Sequence, residues 1–295
     1  MNQEYHGIYA ALVVPYTTDG KVNHAELARL VNHLIDNGID GFYVNGSTGE
    51  AFLLSEDERN SILETVVEAN SGRKKVICHV GSISTDQAIR FSQHAENVGA
   101  DAVSAISPFY YKFGKQEIIQ YYHDIMNNTS LPMFIYNFPN FSGFSLSEDV
   151  LDELTAHKNL AGVKFTSSDF FLLERIKTNH PELVVWNGFD EMLCAGLIMG
   201  ADGAIGSTYN CMAPIVHKIY DNFINGNIEE AQEYQKITNT VIKAICNNGV
   251  FASVKTILEF DGFAFNGCRK PFSPITDAGK KELKGIYEEY IVPNR

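Results

Sequence analysis

Gly38-Ile39-Asp40-Gly41, Gly99-Ala100-Asp101-Ala102 and Gly200-Ala201-Asp202-Gly203 are three copies of one phrase in a chain of 295 residues. Each leads into an apolar run. The first glycine suits the left-handed backbone that ends a helix, a conformation strained for residues with a side chain. The residues after it enter a strand. One helix-to-strand join used three times predicts serial βα units.

The segments on either side of the phrase agree. Leu27, Leu30, Val31, Leu34 and Ile35 fall on one helical face, as do Ala88, Phe91, Ala95 and Val98. Asn23 and Glu26 offer a cap before the first helix. Ser55 and Glu58 form the S-x-x-E pattern of a capping box before the next. Apolar, β-rich runs begin near Ile8, Phe42, Val76, Ala102, Met133, Gly162, Leu183 and Gly203. Eight such units point to a parallel sheet, and their length favours a closed (β/α)8 TIM barrel. A doubly wound open sheet is the alternative, although neither a G-x-G-x-x-G fingerprint nor a Walker loop supports its nucleotide-binding versions. After Gly206 the strand signal stops. Helical patterns follow from about Ala213, over Ile228 to Asn247, Val250 to Phe260 and Asp277 to Tyr290. The expected organisation is a catalytic barrel over residues 1–212 and a C-terminal helical extension over 213–295, packed together as one unit.

Composition narrows the function classes. The chain is 45% hydrophobic with a formal net charge of −13. Nucleic acids and anionic membranes need a cationic face, so neither is an expected partner. Five cysteines, Cys78, Cys194, Cys211, Cys246 and Cys268, are scattered and form no C-x-x-C pair. That pattern favours reduced thiols and a cytoplasmic location. The first residues, Met1 to His6, lack a signal-peptide pattern, and no apolar stretch is long enough to span a bilayer.

In a barrel the chemistry sits at the C-terminal ends of the strands. The sixth run, Leu160-Ala161-Gly162-Val163-Lys164-Phe165, puts a lysine where a buried strand normally carries a hydrophobe. An unpaired ammonium in an apolar setting tends to lose its proton, and the free amine attacks carbonyls to form a Schiff base. The fifth run, Met133 to Asn137, ends in a phenol, Tyr136. An amine and a phenol on two strand ends look like an imine-forming site. The bland alternative is a lysine whose charge escapes to solvent. Strand two ends in Asn45-Gly46-Ser47-Thr48-Gly49-Glu50, whose hydroxyls and backbone amides can hold a carboxylate, or form an ordinary polar turn. Strand four ends in Ser107-Pro108-Phe109-Tyr110-Tyr111, and Thr166 follows Lys164. Strands seven and eight end in Asn187-Gly188-Phe189-Asp190-Glu191 and Gly206-Ser207-Thr208-Tyr209. Asp190 and Glu191 suit either sugar hydroxyls or the start of a helix. Metal chemistry has little support, since no H-x-H or H-E-x-x-H spacing occurs and His79 reads as a structural strand-end histidine. No G-x-S-x-G elbow suggests a serine hydrolase.

Taken in order, Gly46-Ser47-Thr48-Gly49-Glu50, Tyr136-Asn137-Phe138-Pro139 and Gly162-Val163-Lys164 resemble the N-acetylneuraminate lyase subgroup of the family that also contains dihydrodipicolinate synthase. The resemblance runs from about Ile8 to Pro274. It implies that Lys164 is the Schiff-base lysine and Tyr136 the proton relay. It further implies that Ser47 and Thr48 bind the substrate carboxylate, and that Thr166, Gly188, Asp190, Glu191 and Ser207 grip the sugar portion. The dihydrodipicolinate synthases carry an arginine shortly after the tyrosine motif. Phe141 stands there instead, and losing a bidentate carboxylate clamp is not a conservative change. The implied reaction is reversible cleavage of N-acetylneuraminate to N-acetylmannosamine and pyruvate, with no metal or organic cofactor. The implied assembly is a homotetramer in which Tyr110 reaches a neighbouring subunit's site. Two alternatives are an aldolase for a shorter 2-keto-3-deoxy sugar acid and a non-catalytic keto-acid-binding protein.

Overall fold

The computed structural model describes residues 3–295. Its strands are β1 (Gly7–Ala11), β2 (Gly41–Val44), β3 (Lys75–His79), β4 (Ala102–Ile106), β5 (Met133–Asn137), β6 (Leu160–Phe165), β7 (Val184–Asn187) and β8 (Gly203–Gly206). They close in chain order into one parallel barrel, with β1 paired to both β2 and β8. Helices lie between successive strands, which makes this the TIM barrel expected from the sequence. Both faces of the strands are buried, and so the runs read as nearly continuous apolar stretches. Tyr9, Tyr43, Phe134, Trp186 and Ile205 fill the interior. Residues such as Leu30, Val31, Ile62 and Val66 pack the helices against the outside. Tyr5 stoppers the lower end: Trp186 donates its ring N–H to the Tyr5 carbonyl at 2.8 Å, and Phe134 meets the Tyr5 ring edge-on.

The repeated phrase has a use that its glycines alone did not reveal. Gly38, Gly99 and Gly200 have φ of 87°, 86° and 100°, the left-handed values expected. The aspartate two residues later then clamps a residue of the preceding strand. Asp40, Asp101 and Asp202 accept hydrogen bonds from the amides of Ile8, Val76 and Val185, each at 2.8 Å. Their own amides donate back to the carbonyls of the same three residues at 2.9, 2.9 and 2.8 Å. Each bracket fixes the register of one consecutive strand pair: β1–β2, β3–β4 and β7–β8. Paired backbone groups at a buried sheet end are obligatory, and the aspartate supplies the partner that the ladder lacks there.

The predicted caps form as well. Asn23 accepts from the Glu26 amide, and Ser55 with Glu58 makes a complete capping box. Beyond β8, a helix over Tyr209–Ile224 packs on β1. It starts earlier than the expected Ala213, because a kink at Met212, two residues before Pro214, interrupts the periodicity over its first turn. Helices over Ile228–Asn248, Val250–Phe260 and Asp277–Ile286 follow, the last running on as a π-helical turn over Tyr287–Ile291 and a 3-10 turn over Val292–Asn294. Among the described residues no single helix is long and apolar enough to cross a membrane.

Candidate active site

Tyr136 and Lys164 are direct register partners on β5 and β6. Strand alternation therefore points both side chains the same way, toward the interior at the upper end. Both are buried, and both line a cavity of about 230 Å³. The Lys164 amine sits 4.0 Å from the centre of the Tyr43 ring and 4.1 Å from that of Tyr136. Two aromatic faces thus hold it in place and attract its charged form. Burial acts the other way and lowers the amine to about 7, with the charge of Asp190 partly restoring it. A substantial neutral fraction follows near neutral pH, and a neutral amine is the nucleophile that imine chemistry needs. Burial drives the Tyr136 phenol well up, against the pull of the neighbouring Ser47 and Thr166 hydroxyls. The phenol accordingly keeps its proton near neutral pH.

The turn after β2 brings Ser47 and Thr48 to the same cavity. Thr48 and Ser207 share a hydrogen bond of 2.7 Å between their hydroxyls, which ties this turn to the loop after β8. Thr166 and Gly188 lie side by side. A Cβ at position 188 would fall 1.9 Å from Thr166 Oγ1, so only glycine fits. Thr166 Oγ1 is buried at the cavity wall, beside the Tyr136 phenol.

The two acids of the β7 loop divide. Asp190 is buried, and its Oδ2 accepts from the Thr208 amide at 2.9 Å and the Thr208 hydroxyl at 2.6 Å. Burial raises its carboxyl to about 6, while the Thr208 hydrogen bonds hold the rise back. Glu191 is exposed, and its carboxylate makes no hydrogen bond among the described residues. Both line the cavity, but Asp190 also shapes the β8 loop.

All the candidates except Tyr110 meet in this one cavity. Tyr110 stands outside it, 84% exposed, with a left-handed φ of 83°. Phe141, at the position of the missing arginine, lines the cavity and stacks on Phe138 at 4.2 Å. His79 is structural: one ring nitrogen meets the Asn45 carbonyl at 3.0 Å and the other accepts from the Ile106 amide at 3.2 Å. Sequence reasoning missed the wall built by the C-terminal helices, namely Ile242, Ile245 and Cys246 on one and Val250 and Phe251 on the next. Apolar periodicity marks such a helix face as buried but does not say against what.

The chain matches the dihydrodipicolinate synthetase family over residues 4–290. A Rhizobium meliloti (strain 1021) protein named N-acetylneuraminate lyase is 44% identical over 94% of this chain and 93% of its own length. Among solved structures, CdNal from Clostridium difficile in complex with mannosamine superposes with a TM-score of 0.95 at 39% identity, covering 97% of this chain and 99% of that one. N-acetylneuraminate lyase from Fusobacterium nucleatum complexed with pyruvate gives a TM-score of 0.94 at 35% identity, covering 98% of each chain.

Proposed function

The chain belongs to the dihydrodipicolinate synthetase family, and from that premise we propose that it is an N-acetylneuraminate lyase working through a Schiff base on Lys164. The observation that carries this reading is the desolvated Lys164 amine, lowered to about 7, beside the Tyr136 phenol in one cavity. Phe141 in the wall supports the lyase over the synthase, because no guanidinium stands there to clamp a second carboxylate.

The open-chain 2-keto acid enters with its carboxylate at the Ser47–Thr48 turn. The Lys164 amine adds to the keto carbon, and the carbinolamine loses water to give the iminium. The iminium draws electrons from the bond between C3 and C4. As that bond breaks, the C4 hydroxyl gives up its proton and becomes the aldehyde of N-acetylmannosamine. Tyr136 relays this proton, passing its own on toward the substrate carboxylate; such help is typically worth ~10²–10⁴-fold. The enamine of pyruvate left on Lys164 is protonated and hydrolysed, which returns the amine. Thr166, Gly188, Asp190, Glu191 and Ser207 hold the sugar portion. The lysine is the electron sink, so the reaction calls for no metal or organic cofactor.

We also read the protein as cytoplasmic and as a single unit, with the barrel over 1–212 and the helices over 213–295. The unpaired state of all five cysteines supports the first. The cavity wall contributed by both segments supports the second. A homotetramer, with Tyr110 reaching a neighbouring site, accounts for a large aromatic held exposed in a left-handed backbone. The deciding experiment is pyruvate release from N-acetylneuraminate by the purified protein, with borohydride trapping of pyruvate mapped by peptide mass. Release with one adduct on Lys164 is expected. An adduct on a different lysine, or trapping without cleavage of N-acetylneuraminate, overturns the mechanism or the substrate respectively.

A further inference from the structure

The turn that carries Ser47 and Thr48 ends in a residue that the proposed reaction does not touch. Glu50 has a left-handed φ of 58°, and its carboxylate is fully buried. Its amide donates to the Ser47 carbonyl at 3.0 Å and its carbonyl accepts from the Leu53 amide at 2.8 Å, so it closes the turn on both sides. A buried carboxylate is costly without partners. Glu50 finds them more than two hundred positions away. Lys255 ion-pairs with one oxygen, and the Arg269 amide donates to the other at 2.7 Å. The Lys255 side chain is only 1% exposed; its ammonium also donates to the Gly267 carbonyl at 2.9 Å and lies 4.4 Å from the Tyr16 ring centre. Arg269 ion-pairs with Glu58 and donates to the Leu53 carbonyl at 2.9 Å, gripping the same loop from its far side.

Lys255 sits on the helix Val250–Phe260, whose first residues, Val250 and Phe251, form part of the cavity wall. The ion pair therefore joins two walls of one cavity. We infer that Glu50 and Lys255 are positioning residues, whose buried pair sets the turn bearing Ser47 and Thr48 at a fixed place relative to the helix that closes the pocket. This rests on the reading that Ser47 and Thr48 bind the substrate carboxylate. A binding group moved out of hydrogen-bond reach of the carboxylate loses its contribution, about tenfold or more in affinity, so a pair outside the chemistry controls affinity for every 2-keto acid.

The test uses the full-length protein and the variants Glu50→Gln, Lys255→Met and the double variant Glu50→Gln/Lys255→Gln. Glu50→Gln is expected to raise KM for N-acetylneuraminate, and Kd for pyruvate by calorimetry, about tenfold or more through the lost hydrogen bonds. Long and short keto acids should weaken by the same factor, with a smaller loss in kcat. At saturating pyruvate the borohydride adduct on Lys164 should still form. The double variant, an uncharged pair able to hydrogen-bond, should recover part of the lost affinity. A purely structural role would lower the melting temperature and leave KM and Kd where they were, and that result in a folded single variant overturns the inference. If Lys255→Met does not fold, Glu50→Gln, which keeps size and hydrogen-bonding groups, decides alone. Failure of the functional reading shows separately. A wild-type protein that binds pyruvate without cleaving N-acetylneuraminate loses the proposed substrate, and the pair is then judged on pyruvate Kd. A wild-type protein that binds no pyruvate overturns both.

Discussion

Lys164 and Lys255 are both buried, at 4% and 1% exposure, and the fold treats them in opposite ways. Lys255 is met by the Glu50 carboxylate and the Gly267 carbonyl, so burial there makes an ion pair. Lys164 is met by two aromatic faces and has no carboxylate within ion-pair distance among the described residues. Its nearest acidic influence, Asp190, has one oxygen committed to Thr208. Burial alone therefore does not make a lysine nucleophilic. What decides is whether the fold delivers an anion to it. One lysine is tied to a carboxylate, and the other is left without one among the described residues.

The sharpest way to break this contrast is to remove each amine in turn. Lys164→Ala should abolish pyruvate release and the borohydride adduct while the melting curve stays cooperative. Lys164→Arg should be equally inactive, because a guanidinium does not deprotonate in this range. Lys255→Met should keep the adduct. Adduct formation on Lys255 in the Lys164→Ala protein would erase the distinction.

Next in size is the phenol beside the Lys164 amine. Tyr136→Phe deletes one oxygen and should preserve packing. Steady-state turnover is expected to fall by ~10²–10⁴-fold, with pyruvate trapping weakened but present. Near-normal turnover would move the relay away from Tyr136, and Tyr110 would be the next group to change.

Stability against pH tests the same contrast without any substrate. The folded Lys164 amine at about 7 lies below the ordinary lysine value of about 10.4. Between those values the unfolded chain binds a proton that the folded chain does not. Stability relative to Lys164→Met should therefore rise with pH from about 7 toward about 10, by on the order of a few kcal/mol. Below about 7 both states are protonated and the difference levels off. Denaturant melts across that range, compared between the two proteins, read the slope directly. A flat difference would mean that the amine is paired after all.

The smallest effect separates the acids of the β7 loop, which differ as the lysines do. The Asp190 carboxylate has partners in the fold, whereas that of Glu191 has none among the described residues. Glu191→Gln should lower kcat/KM for N-acetylneuraminate about tenfold more than for a shorter keto-sugar acid, the scale of ~1–3 kcal/mol for one lost polar partner. Asp190→Asn should hurt both substrates, because Thr208 and with it the Ser207 loop lose their anchor. Equal losses in the Glu191 variant would remove that residue from the sugar site.

Much of this was legible in the chain. Strand starts near Ile8, Met133 and Gly203 are found where periodicity put them, because strands buried on both faces leave long apolar runs. Lys164 stood out because a charge inside such a run is conspicuous. The partner that makes Lys255 different was invisible: Val250 to Phe260 reads as one more apolar helix, and Glu50 lies 205 positions earlier. The double duty of Asp190 was hidden for the same reason. An acid at a loop start signals a helix or a ligand, and only the closed barrel brings Thr208 beside it. Long-range pairing of polar groups leaves no periodic trace.

The three aspartate brackets bear on how the chain is parcelled. Each joins a strand to the one directly after it, within β1–β2, β3–β4 and β7–β8. A cut in the exposed Ser71–Gly72 loop, between the first two brackets, would leave each bracket whole inside its own fragment. A cut at Gly38 would part Ile8 from Asp40. Three of the four two-strand modules are thus punctuated, β5–β6 having no such aspartate, and the seams along which the chain could be divided and rejoined are written at the bottom of the barrel, away from the cavity.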